Sequence, residues 1–128
     1  MDVGVLNEKA GMIVDAAMRV HSELGPGLLE SAYQACLAFE LQERGLTVQT
    51  EVLLPIRYKS IRLDAAYRLD LLVEDAIIVE TKTVSKFLPV HDAQLLSYLK
   101  LSDRRVGLLI NFHALHLRDG IRRLANRL

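Results

Sequence analysis

Three charged residues in the middle of the chain have types and spacing suited to metal-assisted chemistry: Asp70, Glu80 and Lys82. Residues two apart in a β-strand point to the same face of the sheet. Glu80 and Lys82 therefore project together if their segment is a strand. Asp70 belongs to the preceding strand of the same predicted hairpin, so its position relative to Glu80 depends on the register of that hairpin.

The register depends on the turn between the two strands. If the turn spans residues 74–76, Val73 pairs with Ile77 and Asp70 lies opposite Glu80. A two-residue turn would shift the pairing by one position and point Asp70 to the other face, unless a bulge restored it. The three-residue turn brings two carboxylates and one ammonium within a few ångströms of each other.

Such a group of side chains has a chemical use. Two carboxylates and a backbone carbonyl, such as that of Thr81, provide the hard oxygen ligands that suit Mg²⁺ or Mn²⁺. A metal held there would lower the pKa of a bound water and neutralise charge on a phosphoryl group, and Lys82 would orient that water or stabilise the transition state. The alternative is a surface salt bridge, Glu80 with Lys82 or Asp70 with Arg68, which contributes about 0–1 kcal/mol.

A polar stripe on a later helix is the second candidate feature. Pro89 is suited to a first helical position, and the helix that it begins carries His91, Gln94 and Tyr98. Gln94 and Tyr98 are i,i+4 neighbours, and His91 stands one turn earlier. If this helix packs near Lys82, the stripe borders the site and positions the substrate; otherwise it faces solvent.

Glu30 and Tyr33 form a third candidate group at the start of the second predicted helix, where they follow Gly27. Two interpretations are open for each of them. A glutamate in a first helical turn is favoured by the helix dipole whether or not it binds a ligand. Tyr33 fits the buried stripe of the helix as well as it fits a site.

Helical spacing of apolar residues predicts two helices in the first third of the chain. The first covers Lys9 to Leu24 and ends at the helix-breaking residues 25–27. The second runs from about Leu28 to Arg44, before Gly45. Its expected buried stripe consists of Leu29, Ala32, Tyr33, Cys36, Leu37 and Leu41.

The remaining segments predict a mixed α/β domain over residues 1–128, with two N-terminal helices and a central mixed sheet. The expected elements are strands Thr47–Tyr58, Leu63–Val73 and Ile77–Thr83, a helix Pro89–Lys100 and a strand Arg105–Asn111. His113–Leu117 reads as a weak edge strand, and Ile121–Leu128 fits a strand or a helix. On the first strand we expect one face to carry Val48, Val52, Leu54 and Ile56.

Composition limits the class of protein. Of the 128 residues, 51% are hydrophobic and 25% charged, which is typical of a globular domain and excludes a disordered chain. No apolar run is long enough to cross a bilayer, and the N-terminus lacks the pattern of a signal peptide. We therefore expect a cytoplasmic protein outside the membrane. The single cysteine, Cys36, excludes an internal disulfide and a cysteine-based zinc site and is expected in the core.

The formal net charge is zero, but the charge is unevenly distributed. Residues 1–51 contain three bases and eight acids, whereas residues 104–128 contain six arginines and one acid. The basic end would bind the phosphates of a nucleic acid, or it would face the acidic helices of its own or another subunit. The candidate backbone contacts are Arg104, Arg105, Arg118, Arg122 and Arg123.

Several short motifs together resemble one known family, the GxxExxY proteins of the PD-(D/E)xK nuclease superfamily. The matching segments are Gly27-x-x-Glu30-x-x-Tyr33, Arg68-x-Asp70, Glu80-x-Lys82, Gln94-x-x-x-Tyr98 and the strand Val106–Phe112. The resemblance implies a restriction-endonuclease-like α-β-β-β-α-β core. It also implies that Glu30, Asp70 and Glu80 are metal ligands and that Lys82 is catalytic. Gln94 and Tyr98 resemble a motif of the exonuclease and recombination-nuclease branch of the superfamily.

These observations predict an Mg²⁺- or Mn²⁺-dependent nuclease that hydrolyses phosphodiester bonds, with DNA as the expected substrate. Asp70, Glu80 and Lys82 would be catalytic, and the metal would be held by Glu30, Asp70, Glu80 and the Thr81 carbonyl. Substrate would be positioned by Gln94, Tyr98, Tyr33, Arg68 and His91. The alternative is a non-catalytic module on the same fold that binds nucleic acid or another protein. Assembly into a homo-oligomer is compatible with the sequence.

Overall fold

The computed structural model describes residues 1–64 and 67–128 of the chain in full. The elements, in order, are α1 (Val3–Leu24), α2 (Glu30–Glu43), β1 (Val48–Tyr58), β2 (Ile61–Val73), β3 (Ile77–Lys82), α3 (Pro89–Ser102), β4 (Val106–Asn111), a 3₁₀ helix (Leu117–Gly120) and β5 (Ile121–Ala125). This order confirms the predicted mixed α/β fold with two N-terminal helices. Within the described ranges, no helix is both long and apolar enough to cross a membrane.

The five strands form one sheet in the order in which they occur along the chain. Only β3 and β4 are parallel, and the chain connects them through α3; the other neighbouring pairs are antiparallel. A parallel pair needs such a crossover because the chain must return to the same end of the sheet. All six residues of β4 are buried, as expected for a strand covered on both faces.

One face of the sheet is covered by α1 and α2. The α1 helix begins at Val3, earlier than predicted, because the Asp2 side chain caps it by accepting a hydrogen bond from the Val5 N–H at 2.8 Å. The core on this face also includes apolar side chains from every second residue of β3 and β4. Its members include Leu6, Ile13, Ala17, Tyr33, Leu37, Leu41, Val79, Leu108 and Ile110.

The other face is covered by α3. Here Leu95 and Leu99 of the helix pack on Ile78 of β3 and Leu109 of β4. The helix lies close to β4 because Gly107 has no side chain: a Cβ there would lie 2.9 Å from Leu95. Every second residue of β3, beginning with Ile78, thus faces the α3 layer.

The hairpin between β2 and β3 has the three-residue turn. Val73 pairs with Ile77 and Leu71 with Val79, which confirms the register that brings Asp70 opposite Glu80.

The prediction that Val48, Val52, Leu54 and Ile56 share one face is wrong. Val48 packs with the α1–α2 core, whereas Val52 and Leu54 pack with the α3 core. The strand changes face at Glu51, whose φ of 53° lies in the left-handed region. A single residue in that conformation rotates the following backbone, so the side-chain alternation is not continuous across it.

Two predictions for α2 also differ from the structure. Cys36 is exposed rather than in the core, and Leu29 is 77% exposed. The buried face of α2 consists of Tyr33, Leu37, Ala38 and Leu41. At 100° per residue, Cys36 lies more than 90° round the helix from the centre of that face.

The C-terminal segment differs in one element. His113–Leu117, predicted as an edge strand, forms turns that lead into the 3₁₀ helix, whereas Ile121–Ala125 is a strand that pairs with β4. Gly120 allows the close return, because a Cβ there would lie 2.7 Å from the Asn111 carbonyl oxygen.

Candidate functional site

Asp70 and Glu80 lie where β2 and β3 separate. The regular ladder between these strands ends at the Leu71–Val79 pair. Beyond it, the Asp70 N–H donates to Glu80 Oε2 at 2.7 Å, and the Thr81 N–H donates to Asp70 Oδ2 at 2.9 Å. Two carboxylates thus replace backbone carbonyls as acceptors and occupy the gap between the strands.

Lys82 ends β3 on the same face as Glu80, since both follow Ile78 in the alternation. The chain beyond Lys82 is held in place by β4. The Phe112 N–H donates to the Lys82 carbonyl at 2.9 Å, and the Asn111 side chain exchanges hydrogen bonds with the backbone N–H and C=O of Val84. These contacts anchor the backbone at Lys82, and its charge is close enough to Asp70 and Glu80 to oppose the rise of their pKa.

Two further acids surround this pair. Glu30, in the first turn of α2, is close enough to Asp70 and Lys82 for both to affect its pKa, and Glu51 adds negative charge to the same region. The Gln34 amide joins the elements: its Nε2 donates to Glu51 Oε1 at 2.8 Å and, more weakly, to the Asp70 carbonyl at 3.4 Å. Neither Glu51 nor Gln34 belongs to a sequence motif, and sequence reasoning missed both.

The environment raises the pKa of each central carboxyl group. Glu80 is only 3% exposed, and burial together with the charge of Asp70 raises its pKa to about 8, although the Asp70 N–H and Lys82 act in the opposite direction. Burial also raises the pKa of Asp70, against the effects of the Thr81 hydrogen bonds and of Lys82. Burial and the charge of Asp70 raise the pKa of Glu30. Burial is thus the largest cause of the raised pKa at all three carboxyl groups, and the charge of Lys82 opposes it at each.

A sequence model of the PD-(D/E)XK nuclease superfamily matches residues 7–124 of the chain, which is nearly its whole length. The chain belongs to this superfamily. It has no match among curated proteins or among solved structures. The order of elements around Asp70, Glu80 and Lys82 is consistent with the restriction-endonuclease-like fold of the superfamily.

The nuclease superfamily implies a divalent metal, and the donor atoms at this site fit one. Asp70 and Glu80 accept hydrogen bonds through Oδ2 and Oε2, and among the described residues nothing donates to Asp70 Oδ1 or Glu80 Oε1. In an extended strand the N–H and C=O of a residue point to the same side, so the Thr81 carbonyl faces the gap that its N–H faces. These oxygens are the hard ligands that Mg²⁺ and Mn²⁺ prefer.

Glu30 does not complete a compact set of three acids. In the part of the chain that the structure describes, no group of three or more His, Cys, Asp or Glu side chains is arranged to hold a metal. Glu30 comes from the α1–α2 layer, whereas Glu80 faces the α3 layer. The Asp70–Glu80 pair and the Thr81 carbonyl are therefore the central donors, and Glu30 lies at their side.

Tyr33 lies in the core instead of contacting solvent. It has no exposed surface, and its ring stacks on Phe112 with 4.6 Å between ring centroids. Its hydroxyl donates to the Gly25 carbonyl and accepts from the Leu28 N–H at 3.1 Å. This confirms the alternative that Tyr33 belongs to the buried stripe of α2, and its hydroxyl holds the turn that places Glu30 at the start of that helix.

The polar residues predicted on α3 have separate positions. Tyr98 is buried, and burial together with the negative charge of Glu80 raises its pKa to about 12. Gln94 lies one turn earlier beside it and is half-buried. His91 accepts a hydrogen bond from the Leu88 N–H at 2.9 Å and so caps the first turn of the helix. Arg68 is exposed on β2, two residues before Asp70.

The five arginines predicted to contact nucleic acid do not form one surface. Arg104 pairs with Asp75 at 2.6 Å, just before the start of β3. Lys82 is at the other end of this strand, and its length from Ile77 to Lys82 is roughly 16 Å by the strand rise. Arg105 donates to the Met1 carbonyl. Arg122 and Arg123 are adjacent residues of β5, so their side chains point to opposite faces of the sheet.

Arg122 pairs with Asp92 at 2.6 Å on the α3 side, and Arg123 donates to Asn7 at 2.7 Å on the α1 side. Arg118 is exposed. The contact of Arg104, whose side chain is 22% exposed, supports the alternative that this end of the chain faces acids of its own subunit. The Arg122 side chain remains 51% exposed beside Asp92.

Proposed function

We propose that the chain is a divalent-metal-dependent nuclease of the GxxExxY type that hydrolyses phosphodiester bonds, with DNA as its substrate and Mg²⁺ or Mn²⁺ as its metal. Membership of the PD-(D/E)XK nuclease superfamily supports the reaction class. The observation that carries the proposal is the Asp70–Glu80 pair, which occupies the gap between β2 and β3 with Lys82 on the same face.

In this proposal the metal is held by Asp70, Glu80 and the Thr81 carbonyl, and Glu30 contributes from the side. When bound, the metal lowers the pKa of a water ligand and neutralises charge on the phosphoryl group. Lys82 has no lone pair to offer while it is an ammonium, so it does not coordinate. Its positive charge orients the attacking water and stabilises the charge that develops on the phosphoryl oxygens.

The remaining site residues position the substrate. Tyr98 lies close to the carboxylates, and Gln94 stands one turn earlier on α3. Arg68 is exposed on the strand that carries Asp70, where it can reach the phosphate of an adjacent nucleotide. His91 acts through the start of α3, which it caps. Tyr33 acts through the turn that precedes Glu30.

For phosphate contacts outside the centre we propose Arg118 and Arg122 rather than Arg104 and Arg105. Arg122 and Lys86 line a cleft of about 460 Å³ that also includes Asn111, the residue paired with Lys82. This cleft therefore lies at the same end of the sheet as the carboxylates. Arg104 is bound to Asp75 at the other end.

The test is cleavage of labelled single- and double-stranded DNA and RNA in the presence of Mg²⁺, Mn²⁺ or EDTA. We expect metal-dependent cleavage by the parent and none by Asp70→Asn. Glu8→Gln is the matched control, because Glu8 is an exposed acid on α1. A parent that binds these substrates but cleaves none with either metal would instead be the non-catalytic binding module.

A further inference from the structure

A groove beside the carboxylates is the strongest unassigned feature of the molecule. It has a volume of about 420 Å³ and lies between α3 and the β1–β2 hairpin. Its walls include Tyr67 and Ile56 from the hairpin and Gln94, Tyr98 and Leu101 from the helix.

The groove and the carboxylate pair share a wall. Tyr98 lines the groove, and its phenol is close enough to Glu80 and Asp70 to be affected by their charges. Tyr67 is three residues from Asp70 on β2, and its ring centroid lies 5.8 Å from that of Tyr98, with a tilt of 52° between the planes. A molecule in the groove would therefore be adjacent to any group bound between Asp70 and Glu80.

The groove has the chemistry of a site for an uncharged aromatic group. Among the described residues, no Lys, Arg, Asp or Glu lines it. Such a surface offers no charge to a phosphate. It offers an aromatic ring, since Tyr67 is 44% exposed, and one amide, that of Gln94, with both a donor and an acceptor. A flat π-face with a hydrogen-bonding edge is the complement of that surface.

We propose that this groove holds one nucleobase of the substrate strand, stacked on Tyr67 with its edge toward the Gln94 amide. The inference rests on the proposed nuclease function and adds a substrate class to it. The bases of a duplex are stacked on their neighbours and paired at their edges, so only an unpaired base enters the groove without a cost of a few kcal/mol for unstacking and unpairing. The preferred substrate is therefore single-stranded at the nucleotide beside the cleavage site.

An abasic scan tests the groove directly. The probe is a labelled 12-nucleotide DNA strand in which each position in turn lacks its base, and binding is measured by fluorescence anisotropy in EDTA, where no cleavage occurs. We expect one position at which removal of the base weakens binding by the parent about 5- to 150-fold, the range measured when a stacking aromatic is replaced by alanine. Equal affinity at every abasic position would overturn the proposal without the need for any variant.

Substitution of Tyr67 completes the test. Tyr67→Ala should bind the intact strand as weakly as the parent binds the critical abasic strand. Its affinity should not depend on which position of the strand lacks a base. Tyr67→Phe, which keeps the ring, should behave as the parent does. The control is Tyr58→Ala, since Tyr58 is a tyrosine of the same hairpin, 62% exposed and outside the groove.

The two proposals fail separately. If the parent cleaves DNA with Mg²⁺ but shows no critical abasic position, the nuclease function stands and the base-binding groove is wrong. If binding depends on one base and on the Tyr67 ring but no metal supports cleavage, the groove stands and the nuclease function is wrong. A critical position that persists unchanged in Tyr67→Ala would also overturn the assignment of this groove.

Discussion

The backbone N–H of Asp70 donates to Oε2 of Glu80 at 2.7 Å, and Asp70 in turn accepts from the residue after Glu80. Each acid thus helps to fix the other, and two carboxyl groups are held together in a largely buried gap. Burial raises the pKa of both carboxyl groups, and the charge of Asp70 adds to the rise at Glu80. A divalent cation bound between them would favour their charged forms.

The first prediction concerns metal binding. Mn²⁺ or Mg²⁺ should raise the melting temperature of the parent, because a cation that binds only the folded state stabilises it by about 2.7 kcal/mol at 100 times its Kd. Asp70→Asn and Glu80→Gln should lose most of this shift, and Glu8→Gln should keep it. Differential scanning calorimetry with and without metal measures all four proteins. Equal shifts in the four would place the metal elsewhere.

The second prediction concerns pH in the absence of metal. Burial and Asp70 raise the pKa of Glu80 from 4.5 to about 8, so the folded protein keeps a proton that the unfolded chain has released. The protonated Glu80 carboxyl therefore contributes stability that is fully present below about pH 4.5 and is lost as the pH rises to about 8. Across this range the free energy of unfolding falls by at most about 1.4 kcal/mol per pH unit. Urea unfolding in EDTA should show that Glu80→Gln removes this loss. The idea is untenable if parent and Glu80→Gln have parallel stability curves from pH 5 to 8.5.

The third prediction concerns Lys82. Lys82→Met keeps most of the aliphatic stem and removes the charge, so it should slow cleavage by about 10²-fold or more, the scale of one lost electrostatic stabiliser. The melting shift with Mn²⁺ should remain, because Lys82 is not a ligand. Lys100→Met, at an exposed position on α3, is the control. Unchanged cleavage by Lys82→Met would refute the role given to this residue.

The fourth prediction separates two roles for Tyr33. Its hydroxyl bonds to the backbone of the turn before α2, so Tyr33→Phe should lower the free energy of unfolding by about 1–2 kcal/mol. Chemical denaturation should show a lower midpoint with an unchanged m-value, and the matched change at exposed Tyr58 should have little effect. A raised KM with unchanged stability would show instead that Tyr33 contacts substrate.

The fifth prediction concerns the arginine-rich end. If Arg118 and Arg122 contact phosphates, changing both to Ser should flatten the dependence of log affinity on log salt by about two contacts, each worth roughly 0.7 to 0.9 in slope. The same change at Arg104 and Arg105 should leave the slope as it is, because these residues lie at the end of the sheet away from the carboxylates. If the slope flattens for the Arg104 and Arg105 variant but not for the Arg118 and Arg122 variant, the phosphate contacts lie at the start of β4 instead.

Local patterns in the sequence were sufficient for much of the fold and for the choice of Asp70, Glu80 and Lys82, but they left two lengths open for the turn between β2 and β3, which the structure decided. The turn at residues 74–76 determines the register of the hairpin, and the two-residue period of a strand then places Asp70, Glu80 and Lys82 near each other. Both rules act over a few residues and depend on backbone geometry. For that reason they could be applied without knowledge of the rest of the chain.

The tertiary structure decided what depends on contacts between distant segments. The left-handed conformation of Glu51 moves β1 from one core to the other, and it brings a fourth acid to the site that no motif marks. Whether Cys36 is buried depended on which neighbour covers α2, and the partners of Arg104 and Arg122 depended on where Asp75 and Asp92 lie.

The sequence by itself thus determined the types of side chain available for chemistry, their spacing within each element and the order of the elements. Only the tertiary structure decided that Tyr67, far from α3 along the chain, forms a groove with Gln94 and Tyr98 beside the carboxylates. The physical reason is that periodicity and turn chemistry act between near neighbours in the chain. Burial, pKa shifts and grooves arise from packing between elements, where small changes in backbone direction select which side chains meet.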